Sequence, residues 1–149
     1  MTATDAGTDL RLYLQDARDS LLLKLDGLSE YDVRRPLTPT GTNLLGLVKH
    51  LTGAEAIYFG ETFGRPAPRR PAPVDHRRRR TERRPVGDPR EQIVDGYRRA
   101  CAHADETLDT LPLDTVGRVP WPPHSELTLQ RILLGATARI RAPVQIRAT

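Results

Sequence analysis

At 149 residues the chain is one domain of ordinary size, 1–149, long enough to bury a core without disulfides or metal staples. A single cysteine, Cys101, excludes an internal disulfide and a metal–thiolate cluster, and it suits a reducing compartment. No apolar run approaches the ~20 residues of a membrane span, and the start MTATDAGTDLR carries neither the charge nor the apolar stretch of a signal peptide, so a cytoplasmic protein with no membrane partner is expected.

The net charge of +4 is unevenly spread. Ten arginines lie between Arg65 and Arg90 against Asp75, Glu82 and Asp88, a local balance of +7 that leaves the remainder of the chain at −3.

In chain order, a helical period opens after Thr8. Leu10, Leu14, Ala17, Leu21, Leu25 and Leu28 recur at spacings of three and four, which lines one face. Ser29 to Pro39 reads as a connection. Thr42 or Asn43 then offers a capping oxygen, and Leu44, Leu47, Val48, Leu51, Ala54 and Tyr58 predict a second helix to about Phe63, with Gly64 closing it in a left-handed turn. Residues 65–87 are arginine- and proline-rich without apolar period, and predict a disordered or loose insert.

Asp88-Pro89-Arg90-Glu91 is a helix entry, and Ile93, Val94, Tyr97, Cys101, Ala104 and Leu108 follow at helical spacing. A proline-rich loop around Trp121 leads to a last helix from about Thr128, with Leu129, Ile132, Leu133 and Ala136 on its apolar face. Pro143 predicts that this helix is cut short, with 138–149 a divergent tail. No strand is expected. The pattern predicts an all-α, four-helix bundle with an Arg/Pro-rich loop between helices 2 and 3 and a truncated or altered fourth helix.

The string Asn43-Leu44-Leu45-Gly46-Leu47-Val48-Lys49-His50-Leu51 resembles the second-helix signature of the DinB-like superfamily. It is similar in particular to a branch of high-GC bacteria related to the mycothiol-dependent maleylpyruvate isomerases. Leu21 to Ser29, Arg90 to Ala104 and Leu127 to Leu134 resemble the end of that branch's first helix, its third helix and the start of its fourth.

The resemblance implies a bundle holding zinc or nickel through three histidines, one on the second helix and two on the last, which activates a low-molecular-weight thiol for transfer or isomerisation. By position His50 matches the second-helix ligand. After Leu134, however, the chain reads Gly-Ala-Thr-Ala-Arg-Ile-Arg-Ala-Pro, and no histidine occurs beyond His124. His50 is therefore read as a remnant ligand position, with no cofactor and no activity expected in this chain, since one imidazole does not make a selective site.

Arg/Pro runs are also what GC-rich DNA yields out of frame. A frame shift near residue 65, recovered before Asp88, and another after Leu134 would account for both departures.

The remaining candidates have plainer readings. His76, His103 and His124 match no ligand spacing. Glu55, about 140° round the helix from His50, reads as a solvated residue, Cys101 as a small core residue, and Trp121 as a loop aromatic closing the core. Arg77, Arg78, Arg79, Arg80, Arg83 and Arg84 could hold nucleic acid or an acidic partner through charge alone, without specificity, because no aromatic side chain lies between 65 and 90. A fourth helix ending at Pro143 would leave apolar faces uncovered, which predicts dimerisation, poor solubility or service as a partner-binding scaffold.

Overall fold

The computed structural model describes residues 6–36, 43–66 and 89–146. Its first helix, α1 (Ala6–Asp26), buries Leu14, Ala17, Leu21 and Leu25, the stripe that the sequence predicts, and adds one residue that it does not, Arg18.

The connection after α1 contains a short helix, α2 (Glu30–Arg34). The Ser29 hydroxyl accepts from the Asp32 amide at 3.1 Å and caps it, Val33 is fully buried beneath it, and Pro36 follows its end. A helix this short shows too little period to be read from apolar spacing.

The third helix, α3 (Leu44–Phe59), starts at the expected cap: Asn43 Oδ1 accepts from the Gly46 amide at 2.7 Å, while its Nδ2 donates to the Arg34 carbonyl and ties α3 to α2. It stops four residues earlier than expected, at Gly60. A 3-10 turn, Glu61–Phe63, follows, and Gly64 at φ +71° closes it in the left-handed conformation predicted.

The fourth helix, α4 (Arg90–Thr110), begins after Pro89 and buries Ile93, Tyr97, Ala100, Ala104 and Leu108. Beyond it lies a two-stranded antiparallel ribbon that corrects the expectation of no strand: β1 (Val116–Arg118) pairs with β2 (Glu126–Thr128), Gly117 opposite Leu127. Three residues a side are too few to show an alternation. Gly117 is required there, because a Cβ would lie 2.7 Å from both Phe63 and Thr62 side chains.

The last helix, α5 (Leu129–Ile146), is eighteen residues long and passes through Pro143. This corrects the expected truncation. A mid-helix proline costs ~3 kcal/mol or more, and here a row of buried side chains holds the helix up to that point. Leu129, Ile132, Leu133 and Ile140 are all buried, and Ala136 packs against them. Ile140 extends the buried stripe beyond Leu134. The large apolar side chains that stay exposed, such as Leu12, Leu23, Tyr31, Val116 and Leu134, are spread over α1, α2, β1 and α5.

The direction of each helix follows from side-chain contacts. Arg11 on α1 meets Asp109 on α4 at 2.6 Å, and Arg90 donates to the Leu25 and Leu28 carbonyls, so α1 and α4 are antiparallel. Arg65, just past the end of α3, donates to Thr107 and Glu106 near the end of α4, so α3 and α4 run the same way. The Leu129 and Gln130 amides donate to Thr115 and Leu113, which starts α5 at that same end and returns it alongside α1. The result is an all-α bundle, as expected, with four long helices running down, up, up and down.

Candidate functional site

His50 is exposed on α3, beside the exposed Lys49. His50 does not border the core as its apolar neighbours suggest; the buried side of α3 is Leu44, Val48, Leu51, Glu55 and Phe59. The fit of a metal is decided by the donors opposite. After Glu126 the sequence contains no Asp, Glu, His or Cys, so α5 offers no conventional ligand at any position. Among the described residues no group of three such side chains converges.

The other histidines have structural partners. His103 Nε2 lies 2.8 Å from the Arg65 carbonyl, and His124 Nδ1 lies 3.1 Å from the Val119 carbonyl. His76 lies outside the described residues, as do Arg77, Arg78, Arg79, Arg80, Arg83 and Arg84. The two histidines that the resemblance implies on the last helix are absent from this sequence.

What the bundle holds at its centre is a charged cluster. Arg18 Nε and Nη2 donate to the two oxygens of Glu55 at 3.1 and 2.8 Å, with the side chains 2% and 3% exposed. Arg18 Nη1 donates to Asp105 of α4 at 2.7 Å and to Gln15 at 3.3 Å. Glu55 is therefore the opposite of a solvated residue, and the correction has a simple cause. It stands four residues after Leu51 and four before Phe59, on the core stripe, and a burial-ready cation faces it from α1.

Burial pushes the Glu55 pKa upward, against the opposing pull of Arg18. Burial also works against the Arg18 charge, but the hydrogen bonds and charge of Glu55 overcome it and hold Arg18 above its usual value. A guanidinium keeps its proton, and the two-pronged geometry is the one a carboxylate accepts best.

Tyr97 and Cys101, one turn apart on α4, lie beside this pair. Burial, then the charges nearby, raises both. The Cys101 thiol is pushed up to about 12, by burial first and by the Glu55 carboxylate second, which makes it a poor nucleophile at neutral pH and agrees with a packing role. The fully buried Tyr97 hydroxyl has no hydrogen-bond partner among the described residues.

Trp121 does not close the core. It is 40% exposed and meets the half-buried Tyr58 ring edge to face, with centroids 5.5 Å apart. The loop that carries it is pinned by the His124 amide donating to the Trp121 carbonyl at 2.7 Å and by the Val119 amide donating to Ser125. Tyr58 also carries the guanidinium of Arg139, 4.6 Å from the ring centroid. A second pair of this kind joins Arg141 to Tyr13, at 5.8 Å. These contacts join distant parts of the chain, so no local spacing in the sequence signals them.

A shallow groove of about 340 Å³ between α1 and α4, lined by Asp19, Asp26, Arg90 and Arg98 among others, shows charges of both signs. Arg90 is committed there to the backbone of α1. No helix among the described residues is long and apolar enough to cross a membrane.

No curated protein and no solved structure matches the chain. A family model described as MST, Mycothiol-S-transferase, matches residues 9–139, from the first turn of α1 to the Arg139 that lies over Tyr58. That span covers α3 and α4, nearly all of α1 and the first part of α5, in the order and with the all-α packing expected of the DinB-like branch, and the chain belongs to the mycothiol-S-transferase family.

Proposed function

We propose that this chain keeps the scaffold of the mycothiol-S-transferase family without a complete three-histidine metal centre, so that metal-activated thiol transfer is not its activity. One observation carries the reading: α5, which would supply two of the three histidine ligands, contains no His, Cys, Asp or Glu, and Arg139 and Arg141 stand in its second half. A fixed guanidinium repels the cation that an imidazole would bind. The exposed His50 is left with no partner ligand from that helix.

The test is metal content. Protein purified without a histidine tag is expected to carry well under ~0.1 equivalents of zinc or nickel, with no change on His50→Ala. A tightly held, near-stoichiometric metal that disappears in the His50→Ala variant would overturn the proposal.

A further inference from the structure

We propose that Arg139, Tyr58 and Trp121 form a surface site for a small organic anion, a carboxylate joined to a flat apolar group. The Arg139 guanidinium carbon lies over the Tyr58 ring, 4.6 Å from its centroid, and among the described residues the side chain has no hydrogen bond and no ion pair. An exposed guanidinium with no hydrogen-bond partner has N–H groups free to meet a carboxylate in a two-point contact. No acid follows Glu126, so α5 itself supplies no carboxylate to occupy it.

The apolar half of the ligand is set by Trp121. Its ring is 40% exposed beside Tyr58, and the loop bearing it is fixed by backbone hydrogen bonds, so the wall exists before any ligand arrives. A bare anion would use Arg139 alone, and a neutral aromatic molecule would use Trp121 alone. A ligand with both features gains from both, and this selects an aryl or similarly flat carboxylate. The site involves neither His50 nor a metal, and it stands whether or not the proposal on metal content holds.

Trp121 is the chain's single tryptophan and sits in the site, so it reports on occupancy directly. The experiment titrates the full chain with benzoate in low-salt buffer, following Trp121 emission, with benzamide and acetate as comparisons. Benzoate is expected to give a saturable change with a Kd of roughly millimolar order, and benzamide and acetate at least ~10-fold weaker responses.

Arg139→Gln is expected to weaken benzoate at least ~10-fold, and Arg139→Lys, which keeps the charge but not the fork, to fall between. Arg131→Gln, an exposed arginine elsewhere on α5, should leave binding unchanged. Calorimetry on Trp121→Phe separates loss of the reporter from loss of binding. No saturable response from the wild type, or equal affinities in wild type and Arg139→Gln, would overturn the proposal. So would equal affinities for benzoate and benzamide.

Discussion

Arg18 and Glu55 face each other across the α1–α3 interface with both guanidinium prongs on both carboxylate oxygens, in a place where neither is more than 3% exposed. A buried ion pair of this kind adds little net stability over apolar side chains of similar volume, yet breaking it is costly because the survivor stays charged and desolvated. Its larger effect is on register: sliding α1 past α3 by one turn would strand both charges.

The first prediction follows from that asymmetry. Glu55→Leu alone is expected to cost about 3–5 kcal/mol in urea unfolding. The double variant Arg18→Met with Glu55→Leu should recover most of it, since Asp105 is part-exposed and returns to water. Equal losses in the single and double variants would show that the pair is not the source of the cost.

Cys101 gives the second. Its thiol is raised to about 12 in the fold, while in the unfolded chain it ionises near ~8.5. Between those values the unfolded chain has lost a proton that the folded one keeps, so stability is expected to fall as pH rises from ~8.5 towards 12. Below ~8.5 this group contributes no slope. Tyr97, raised in the same direction, adds to the decline above ~10. Urea midpoints measured across this range should drop, and Cys101→Ala should flatten the part below ~10. Alkylation of the native protein at pH ~8 should be slow and become fast in urea. A midpoint that holds steady with pH would contradict the assignment.

Gly60 supplies a third. A Cβ there would lie 2.3 Å from the Ala56 carbonyl and 2.6 Å from that of Arg65, both backbone atoms that cannot swing aside. Gly60→Ala should lower stability by about 1–3 kcal/mol. Gly53→Ala, whose new methyl meets nothing within 4 Å on an exposed helical face, should raise it by about 0.5–1 kcal/mol. Thermal melts of the two variants decide it, and a shift of the same sign in both would remove the steric account.

The fourth concerns Arg77–Arg80, Arg83 and Arg84. As a proposal, any affinity of the chain for a DNA duplex is pure phosphate neutralisation. It should fall by orders of magnitude between roughly 50 and 200 mM salt and vanish when residues 69–84 are deleted. Anisotropy of a labelled duplex measures it. Affinity that ignores salt, or that survives the deletion, would show a different mode of binding.

The long helices were legible because their buried residues recur at three and four, and the caps at Asn43 and Gly64 could be assigned from residue type alone. Glu55 was misread because it was placed relative to His50 and not relative to Leu51 and Phe59, where a charged residue interrupts an apolar stripe. The matching interruption by Arg18, between Leu14 and Leu21, carries the opposite sign, so the two together were a readable signal. Pro143 misled for another reason: the local cost of a proline is set against a row of buried contacts that local rules do not count. The Tyr58–Trp121–Arg139 contacts depend on how three separate elements meet, and nothing in their spacing announces that.

Because α3 and α4 point the same way, the chain must travel from one end of the bundle to the other between them. Arg65 stands level with Thr107, seventeen helical residues above Arg90, a rise of about 25 Å. An extended chain covers that in roughly eight residues, and residues 66–89 provide twenty-four. The crossing therefore constrains how short this stretch can become, while its length above that minimum changes the closure entropy only slowly. A bundle tied this way can absorb a run of arginine and proline, or lose much of it, without re-pairing a single helix.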